Sequence, residues 1–556
     1  MKHLRLGTRG SRLALQQSRI VADRLRERGV TVELVTIVAD GDLRAPDAPI
    51  GEGMFVTALE RALVAGEIDV AVHSAKDLPL DEDPRLTIVA YPERADPRDA
   101  LVTRGPATSL AGLLSGATVG TDSPRRGGFI RALRPDLEVI SLHGNVDTRL
   151  QRLDSGQADA LVLAAAGLDR LGIGSRAVER LDPDAMPPAP GQGALAVQVR
   201  RGDADMTAVV APLDDADVRR AVVAERALLK AMGGGCRAPV GALATSNHTH
   251  ITLLAGAVSP DGRRRKIVTR SMAQDGRALA KGACEAADDL NLSVPLNSRA
   301  LLDTRPELDP ELVLAVNRMG FEHVHVPAIE IGEGGGDELD RARASLASYD
   351  WVVLTSRRGV EALLRDGAPR AGSHVRWAAV GTGTASALRK HGVEAACVPP
   401  SANAEAIPAA MAGVASVQGA RVLLARADAA GPSLPAQLRR MGATVDDVVA
   451  YRTAQAPQAS KGSMLEILAD PRLEAVVFAS GSAVRGLVGL AGDAVDLARS
   501  LKVFTIGPRT SAVARELGFK VAGEAATRDS SGLAGAIKQA LDDEVERWVE
   551  SQLAPL

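Results

Sequence analysis

The sequence predicts an α/β protein of several domains with mostly parallel sheets. Short apolar runs alternate with amphipathic helical patterns along the whole chain, which is typical of linked β-α-β units. The 556 residues are also too many for a single hydrophobic core. A strand followed by a Gly-x-x-Thr helix start occurs at residues 380–388 and again at 506–514, and this repeat indicates two related lobes in the second half.

The elements of the first two units follow from this alternation and from helix-capping residues. Ser11 is placed to cap the first helix. The elements expected in these units are strands at residues 4–6, 32–38, 68–72, 86–90, 117–120, 139–142 and 160–164, a helix at 54–65 and another after Pro124. The proline-rich residues 187–190 form a stiff crossing, and a strand at 194–199 then returns the chain to the first unit.

A third unit, residues 211–290, carries a cysteine on a short loop. Its helix at 219–232 is stopped by three glycines, because glycine tolerates the left-handed backbone that ends a helix. Cys236 follows directly, and Pro239 keeps the chain from entering another helix. A free cysteine is most often a small buried hydrophobe, whereas the glycines and Arg237 favour a reachable thiolate.

Composition argues against several classes of function. A net charge of -3 and an aromatic content of 2% are unlike a basic or base-stacking nucleic-acid binder. The three cysteines are far apart, so they give no metal-ligand spacing and favour a reducing compartment. Residues 1–7 lack the apolar core of a signal peptide, and no apolar run is long enough to span a membrane. We therefore expect a cytoplasmic protein without metal, nucleic-acid or membrane partners. We also expect a monomer that acts on small-molecule substrates.

Six segments of the first half form a specific set. They are GTRGSRLAL (7–15), VAVHSAKDLP (70–79), GTDSPRR (120–126), GNVDTRL (144–150), PGQGAL (190–195) and the cysteine loop GGGCRAPVG (233–241). With them, residues 1–290 resemble the porphobilinogen deaminase (hydroxymethylbilane synthase) family in the family's order. The resemblance implies two α/β domains like those of periplasmic binding proteins, followed by a small α+β domain that carries the cysteine. It also implies a dipyrromethane cofactor joined by a thioether to Cys236, and the head-to-tail joining of four porphobilinogen molecules with loss of ammonia.

The basic residues of these segments suit that chemistry. Each pyrrole carries an acetate and a propionate, so the growing chain is a polyanion, and arginine binds carboxylates bidentately. Helix starts add backbone N–H donors. The resemblance implies cofactor binding by Lys76, Ser123, Arg125, Arg126 and Arg149, and substrate binding by Arg9, Ser11, Arg12 and His143.

Asp77 is the catalytic candidate of the first half. It follows a buried strand, where sites of α/β proteins commonly lie. Loss of ammonia leaves an electrophilic azafulvene, and a fixed carboxylate can stabilise the cations that follow and accept protons from them. A local Lys76–Asp77 ion pair is the alternative interpretation.

Three positions depart from the family's pattern. His143 stands where the family usually has arginine, and it carries charge only when protonated. Glu52 and Thr57 stand where some relatives have lysines on the loop over the site. These departures affect the expected strength of chain binding and leave the reaction class unchanged.

The second half resembles uroporphyrinogen-III synthase over residues 299–545. The segments that carry this resemblance are LTSRRGV (354–360), the two Gly-x-x-Thr helix starts and AYRT (450–453). It implies a bilobal α/β synthase, with crossings near 329–336 and 450–455, that closes hydroxymethylbilane with inversion of the last ring. Thr384 and Thr510 would bind substrate carboxylates or serve only as helix-start hydroxyls. Tyr451 would assist loss of the hydroxyl group or pack at the hinge.

The two resemblances together predict a bifunctional enzyme of tetrapyrrole synthesis. The alternatives are an active deaminase with a non-catalytic bilobal binding module, and a pair of two-lobed binding modules without catalysis. The linker also predicts that residues 1–290 form a separately active deaminase. The expected deaminase domains are, first, 1–95 together with 191–210, second, 96–190, and third, 211–291. A linker at 292–298 follows. The expected synthase lobes are, first, 299–331 together with 454–545 and, second, 332–453, and a tail at 546–556 ends the sequence.

Overall fold

A computed structural model gives the fold of the chain. It describes residues 3–38, 56–235, 237–247, 249–334, 336–367, 374–401 and 403–554. The chain forms two compact units. Unit 1 comprises residues 1–301, 309–323 and 525–556, and unit 2 comprises residues 302–308 and 324–524.

The elements up to residue 325 are strands and helices in the following order. They are β1 (His3–Thr8), α1 (Arg12–Arg26), β2 (Thr31–Thr36), α2 (Thr57–Val64), β3 (Val70–Ser74), β4 (Leu86–Ala90), β5 (Asp99–Thr103), β6 (Thr118–Gly120), α3 (Pro124–Leu133), β7 (Glu138–Ile140), α4 (Val146–Asp154), β8 (Ala160–Ala164), α5 (Ala165–Arg170), β9 (Glu179–Arg180), β10 (Leu195–Arg200), α6 (Ala204–Val210), α7 (Ala216–Ala231), β11 (Val240–Ser246), β12 (His250–Val258), β13 (Arg265–Ala273), α8 (Gly276–Ser293), β14 (Arg299–Asp303), α9 (Pro310–Arg318) and β15 (Phe321–His325).

The remaining elements follow in chain order. They are β16 (Ile329–Glu333), α10 (Gly336–Ala344), β17 (Trp351–Leu354), α11 (Arg357–Leu363), β18 (Arg376–Ala379), α12 (Thr382–Lys390), α13 (Ile407–Val414), β19 (Arg421–Ala427), α14 (Ser433–Arg440), β20 (Thr444–Gln455), α15 (Lys461–Leu468), β21 (Leu473–Phe478), α16 (Gly481–Ala491), α17 (Val495–Arg499), β22 (Lys502–Thr505), α18 (Pro508–Glu516), β23 (Val521–Glu524) and α19 (Ser530–Leu553).

The α/β class is confirmed, but the sheets of unit 1 are mixed. The first sheet has the order β2-β1-β3-β10-β4, with β10 antiparallel to both neighbours. The second has the order β7-β6-β8-β5-β9, with β5 antiparallel to β8 and β9. These antiparallel strands lie where the chain passes from the first sheet to the second and back again. A third, antiparallel sheet, β11-β12-β13, packs against α7 and α8.

Serine side chains cap two helices of unit 1, and the cap at Ser11 is the predicted one. Ser11 caps α1, and its hydroxyl accepts from the backbone N–H of Ala14. Ser123 caps α3 in the same way through Arg126 N–H, with Pro124 at the first helical position. Both caps place a helix start directly after a strand of the first or second sheet.

In unit 2, a five-stranded sheet has the order β16-β20-β19-β17-β18. β17 is parallel to β18 and β19, and β19 is parallel to the first part of β20. The last five residues of β20 pair antiparallel with β16. The two predicted crossings therefore form one two-stranded ribbon. Strands β21, β22 and β23 run parallel to one another.

The C-terminal helix differs from the predicted boundary at residue 545 and the predicted tail at 546–556. Helix α19 runs unbroken through that boundary to Leu553 and belongs to unit 1. Leu541, Val545 and Val549 recur at four-residue spacing and are buried, which explains why the helix continues. Within the part of the chain that the structure describes, no helix has both the length and the apolar character needed to cross a membrane.

Candidate active site

The first candidate site lies at the carboxyl end of β3, in a single turn of 3-10 helix that contains Asp77. The Asp77 side chain is exposed. Behind the turn, the buried Arg226 of α7 donates through Nη1 to the carbonyl oxygens of Ala75 (3.2 Å) and Leu78 (3.1 Å) and through Nη2 to that of Pro79 (2.8 Å). One guanidinium group therefore fixes the backbone on both sides of Asp77 and leaves its carboxylate accessible.

The side chain of Lys76, which precedes Asp77 in the sequence, contacts Gln192. Its Nζ donates to Oε1 of the buried Gln192 (3.2 Å), which also accepts from Nη2 of Arg126 (3.3 Å). Burial, together with the charge of Arg126, lowers the pKa of Lys76 to about 8. Gln192 therefore links the turn that carries Asp77 to the cations of α3.

A buried carboxylate organises those cations. Asp99 accepts from Nη1 of Arg125 (2.7 Å), Nε of Arg126 (2.9 Å) and Nε2 of Gln192 (2.9 Å). Burial alone raises the pKa of Asp99, but Arg125 and Arg126 outweigh that effect and hold the pKa well below its usual range. Both guanidinium groups are almost fully buried, so their geometry depends on Asp99.

A second cluster surrounds Asp122 at the carboxyl end of β6. Ser141 Oγ donates to Asp122 Oδ1 (2.7 Å) and lies 3.0 Å from His143 Nε2. Asp122 Oδ2 lies 3.0 Å from His143 Nδ1 and 3.5 Å from Arg149 Nη2. Burial lowers the pKa of Arg149. His143 and Arg149 therefore meet at the same carboxylate, which orients both side chains.

The residues after β1 lie beside these clusters. Arg9 is half-buried, and Ser11 keeps its capping role. The exposed Arg12 reaches α4, where its Nη1 lies 3.1 Å from Asp147 Oδ1. Arg12 therefore joins the domain of the first sheet to that of the second.

The arrangement fits a polycarboxylate cofactor or substrate. The predicted basic residues follow β1, β3, β6 and β7 at the carboxyl ends of these strands. The buried Nε atoms of Arg125 and Arg149 have no hydrogen-bond partner among the described residues, so donors remain for a ligand. In the same ranges, no group of three His, Cys, Asp or Glu side chains could hold a metal ion.

The cysteine loop is described on both sides of Cys236, but Cys236 itself and Glu52 lie outside the described residues. Helix α7 ends where the glycines predict. Gly233 has a left-handed φ of +66°, and Gly234 N–H donates to the carbonyl of Leu229 (3.0 Å).

Sequence reasoning missed the residues that hold the site together. The fully buried Glu225 accepts at Oε1 from Arg94 (2.7 Å) and the N–H of Ala244 (2.8 Å), and at Oε2 from the N–H of Gly191 (2.6 Å). Glu225 and Arg226 interrupt an otherwise apolar stretch of α7, 221–229, and this interruption was the available signal. Two adjacent residues of α7 thus fix the site: Glu225 binds the end of the proline-rich crossing at Gly191, and Arg226 binds the 3-10 turn that contains Asp77.

The threonines predicted in the second half lie on two helices of unit 2. Thr384 is the third residue of α12 and Thr510 the third of α18, and each is 5% exposed. Gly381 and Gly507 precede these helices and provide no side-chain cap, whereas α11 is capped by Ser356. The uncapped start of α12 leaves backbone N–H groups available to an anion. At α18, Pro508 has no N–H group and the N–H of Thr510 donates to the carbonyl of Gly507 (3.0 Å).

Tyr451 lies apart from the cleft that the structure shows in unit 2. It is half-buried in β20 and packs against the core beneath α11 and α12. A cleft of about 300 Å³ instead borders β16, and an ion pair between Arg358 and Glu307 (2.5 Å) lines it. Its other lining residues are Pro306, Pro327, Ile329, Glu330, Ile331, Pro457, Ala459 and Ser460. Thr384, Thr510 and Tyr451 do not line this cleft.

Comparisons with known proteins agree with this geometry in the first half. Residues 4–208 match the family model "Porphobilinogen deaminase, dipyromethane cofactor binding domain", and residues 219–292 match "Porphobilinogen deaminase, C-terminal domain". A porphobilinogen deaminase of Acidothermus cellulolyticus is 51% identical over 305 residues, which are 52% of this chain and 92% of that protein. The chain belongs to the porphobilinogen deaminase family. One of Roseiflexus sp. is 48% identical over 302 residues, 53% of this chain and 97% of that protein.

The second half matches a different family model. Residues 310–535 match "Uroporphyrinogen-III synthase HemD". A uroporphyrinogen-III synthase structure from Thermus thermophilus is 20% identical, with a TM-score of 0.35, over 44% of this chain and 99% of that one. One from Helicobacter pylori is 15% identical, with a TM-score of 0.31, over 43% and 99%. The chain thus carries deaminase and synthase domains and is a bifunctional enzyme of tetrapyrrole synthesis; the alternative of a non-catalytic second half is not favoured.

Proposed function

We propose that the first half joins four porphobilinogen molecules into hydroxymethylbilane and that the second half closes this product to uroporphyrinogen III. The observation that carries the first assignment is the exposed Asp77 carboxylate beside the buried network of Lys76, Gln192, Asp99 and the α3 arginines. It combines an accessible acid–base group with fixed positive charge. A chain of pyrroles needs both, because its side chains are anionic while the joining step develops positive charge.

The residues of the first half have separate tasks in this proposal. Arg125, Arg126 and Arg149 hold carboxylates of the bound chain, and their burial strengthens each charge-assisted bond. Arg9, Ser11, Arg12 and His143 receive the incoming substrate at the carboxyl ends of β1 and β7.

Asp77 stabilises cationic charge and accepts a proton as each pyrrole is added. Its exposure allows successive rings to reach it. When bound, the dipyrromethane supplies the pyrrole to which the first substrate is joined.

Cys236 is the proposed attachment point of the dipyrromethane. The described residues around it end a helix and provide the exposed Arg237. The other two cysteines, Cys284 and Cys397, are buried, and burial raises the pKa of each thiol. They are therefore poorer nucleophiles.

The intact mass of the full-length protein tests this attachment. We expect the wild type to carry one dipyrromethane adduct and Cys236→Ser to carry none while remaining folded. Cys397→Ser is the matched control, because its thiol lies in unit 2, and it should keep the adduct. An adduct of normal mass on Cys236→Ser would place the attachment elsewhere.

Porphyrin isomer analysis tests the second assignment. Full-length protein given porphobilinogen should yield the type III isomer, whereas hydroxymethylbilane released without synthase action closes to type I. The proposal assigns Thr384 and Thr510 to substrate carboxylates and Tyr451 to loss of the hydroxyl group. Exclusive type I product would leave the second half as a structural or binding module. We also propose that the enzyme works as a monomer in the cytoplasm; the scattered cysteines favour such a reducing compartment.

A further inference from the structure

The last helix of the chain packs on the deaminase although it follows the synthase in sequence. Helix α19 lies against α7 and α8, and the buried Val545 and Val549 belong to the same apolar cluster as those two helices. Lys230 of α7 lies 3.3 Å from Glu544, and Asp288 of α8 lies 3.0 Å from Lys538. The last segment of unit 1, residues 525–556, therefore follows unit 2 in the sequence.

The end of α19 reaches the arginine that holds the catalytic turn. The Trp548 ring lies beneath the Arg226 guanidinium, with 5.8 Å between the guanidinium carbon and the ring centroid. Gln552 Nε2 donates to Glu82 Oε2 (3.3 Å), and Glu82 Oε1 lies 3.5 Å from Arg226 Nη2. Two side chains of α19 thus contact Arg226, one directly and one through Glu82.

The contact between Trp548 and Arg226 matters because Arg226 fixes the turn that carries Asp77. Its guanidinium binds the carbonyl oxygens on both sides of Asp77, and its Nε is buried without a hydrogen-bond partner among the described residues. An aromatic face is a favourable neighbour for a guanidinium group, more so when water is excluded. Without Trp548, water would reach one side of the guanidinium and compete with the carbonyl oxygens it holds.

We propose that α19 is a working part of the deaminase, in which Trp548 positions Arg226 and, through it, the turn that carries Asp77. This inference rests on the proposed role of Asp77. It also replaces the prediction that residues 1–290 form a complete deaminase, because residues 530–553 supply one side of the apolar core around α7 and α8. Trp548 is a positioning residue, since it contacts Arg226 and not the substrate site.

Single substitutions in the full-length protein test the proposal. Trp548→Ala should lower the deaminase kcat by about three- to tenfold with little change in KM, because the turn moves while the substrate-binding arginines stay in place. Trp548→Tyr keeps an aromatic face and should restore most of the rate. Arg547→Ala is the matched control, since Arg547 is the exposed neighbour on the same helix, and it should match the wild type.

Two further readouts separate positioning from loss of fold. The fraction of protein that carries the dipyrromethane adduct reports correctly folded deaminase, and the synthase rate with added hydroxymethylbilane reports unit 2. A kcat loss in Trp548→Ala at an unchanged adduct fraction supports the proposal. A loss that only follows the adduct fraction, or no loss at all, overturns it.

The Asp77→Ala variant distinguishes failure of this inference from failure of the proposed function. If Asp77→Ala is also fully active, the assignment of Asp77 is wrong. If Asp77→Ala is inactive while Trp548→Ala is normal, only the role of α19 is refuted.

Discussion

The buried carboxylates at the site of unit 1 and the buried Asp303 of unit 2 differ in how far along the chain their partners lie. In unit 1, the buried carboxylates Asp99 and Glu225 each bind groups from distant parts of the chain, and both lie at the candidate site. In unit 2, Asp303 pairs with Arg305 two residues away, and the candidate helix starts carry hydroxyl groups instead. The difference suggests that the deaminase site depends on fixed charge, whereas the synthase site depends on shape and orientation.

This contrast matches the chemistry assigned to each half. A deaminase must hold an anionic chain through four additions while positive charge develops nearby, and preorganised charge lowers that barrier. A synthase must present one carbon of a flexible substrate to another, and this is chiefly a matter of orientation. Substitutions in unit 1 should therefore have larger effects than comparable ones in unit 2.

The largest effect is expected at Asp77. Asp77→Ala should lower deaminase turnover by about a hundredfold or more, because no other group replaces its carboxylate in stabilising charge and accepting protons. The rate of porphobilinogen consumption measures this. Asp81→Ala is the control, since that side chain lies in the same loop and is fully exposed. Turnover near the wild-type rate in Asp77→Ala would make the aspartate a structural residue.

The second-largest effect is expected when the charge of Asp99 is removed. Asp99→Asn leaves Arg125 and Arg126 buried without a counter-charge, so unit 1 should be destabilised by about 3–5 kcal/mol. Asp446→Asn in unit 2 is the matched comparison, because Asp446 and its partner Arg421 are both partly exposed, and it should cost closer to about 1 kcal/mol. Hydrogen exchange resolved by segment measures each unit separately. Equal losses in the two variants would remove the contrast between the units.

The sequence was a good guide where structure is local. The glycines after α7 end the helix as predicted, and Ser11 caps α1 as predicted, because such signals act within a few residues. The basic residues assigned to the site fall in segments typical of the family, and their roles stay predictions.

What the sequence did not predict depends on distant contacts. Asp99 and Glu225 were missed because their partners lie far along the chain, and an isolated acidic residue is more often exposed. The docking of α19 was missed for the same reason. Its apolar stripe predicts a buried face, but the spacing of Val545 and Val549 does not say that α7 and α8 cover it.

Acid should destabilise unit 1 before unit 2. His73 is buried against Gln198 Oε1 (3.0 Å), and burial lowers its pKa to about 4. The unfolded chain accepts a proton on this histidine near pH 6.5, whereas the folded protein accepts it only near pH 4. The contribution of neutral His73 to the free energy of unfolding is therefore fully present above pH 6.5 and is lost as the pH falls towards 4. The described histidines of unit 2, at 325, 374 and 391, are all at least partly exposed.

His73→Gln should make unit 1 less sensitive to acid. Between pH 7 and pH 5, the variant should lose about 2 kcal/mol less of its free energy of unfolding than the wild type. The half-buried Glu60, whose pKa is raised by partial burial, acts in the opposite direction in both proteins, so comparing the two isolates the histidine. Segment-resolved hydrogen exchange at the two pH values measures the difference. An identical loss in wild type and variant would show that other groups control acid unfolding.

The smallest effects are expected at the helix starts of unit 2. Thr384→Val and Thr510→Val each remove one hydroxyl and keep the side-chain volume, while the backbone at the starts of α12 and α18 is unchanged. Each variant should lower the rate of type III formation by about two- to tenfold, the range of a single hydrogen bond. Thr444→Val, at an exposed position of β20, is the control and should have no effect. Because orientation is shared among several donors, the double variant should shift product towards type I without abolishing type III. Complete loss from either single variant would instead give that hydroxyl a chemical role, and unit 2 would then depend on one group as strongly as unit 1 depends on Asp77.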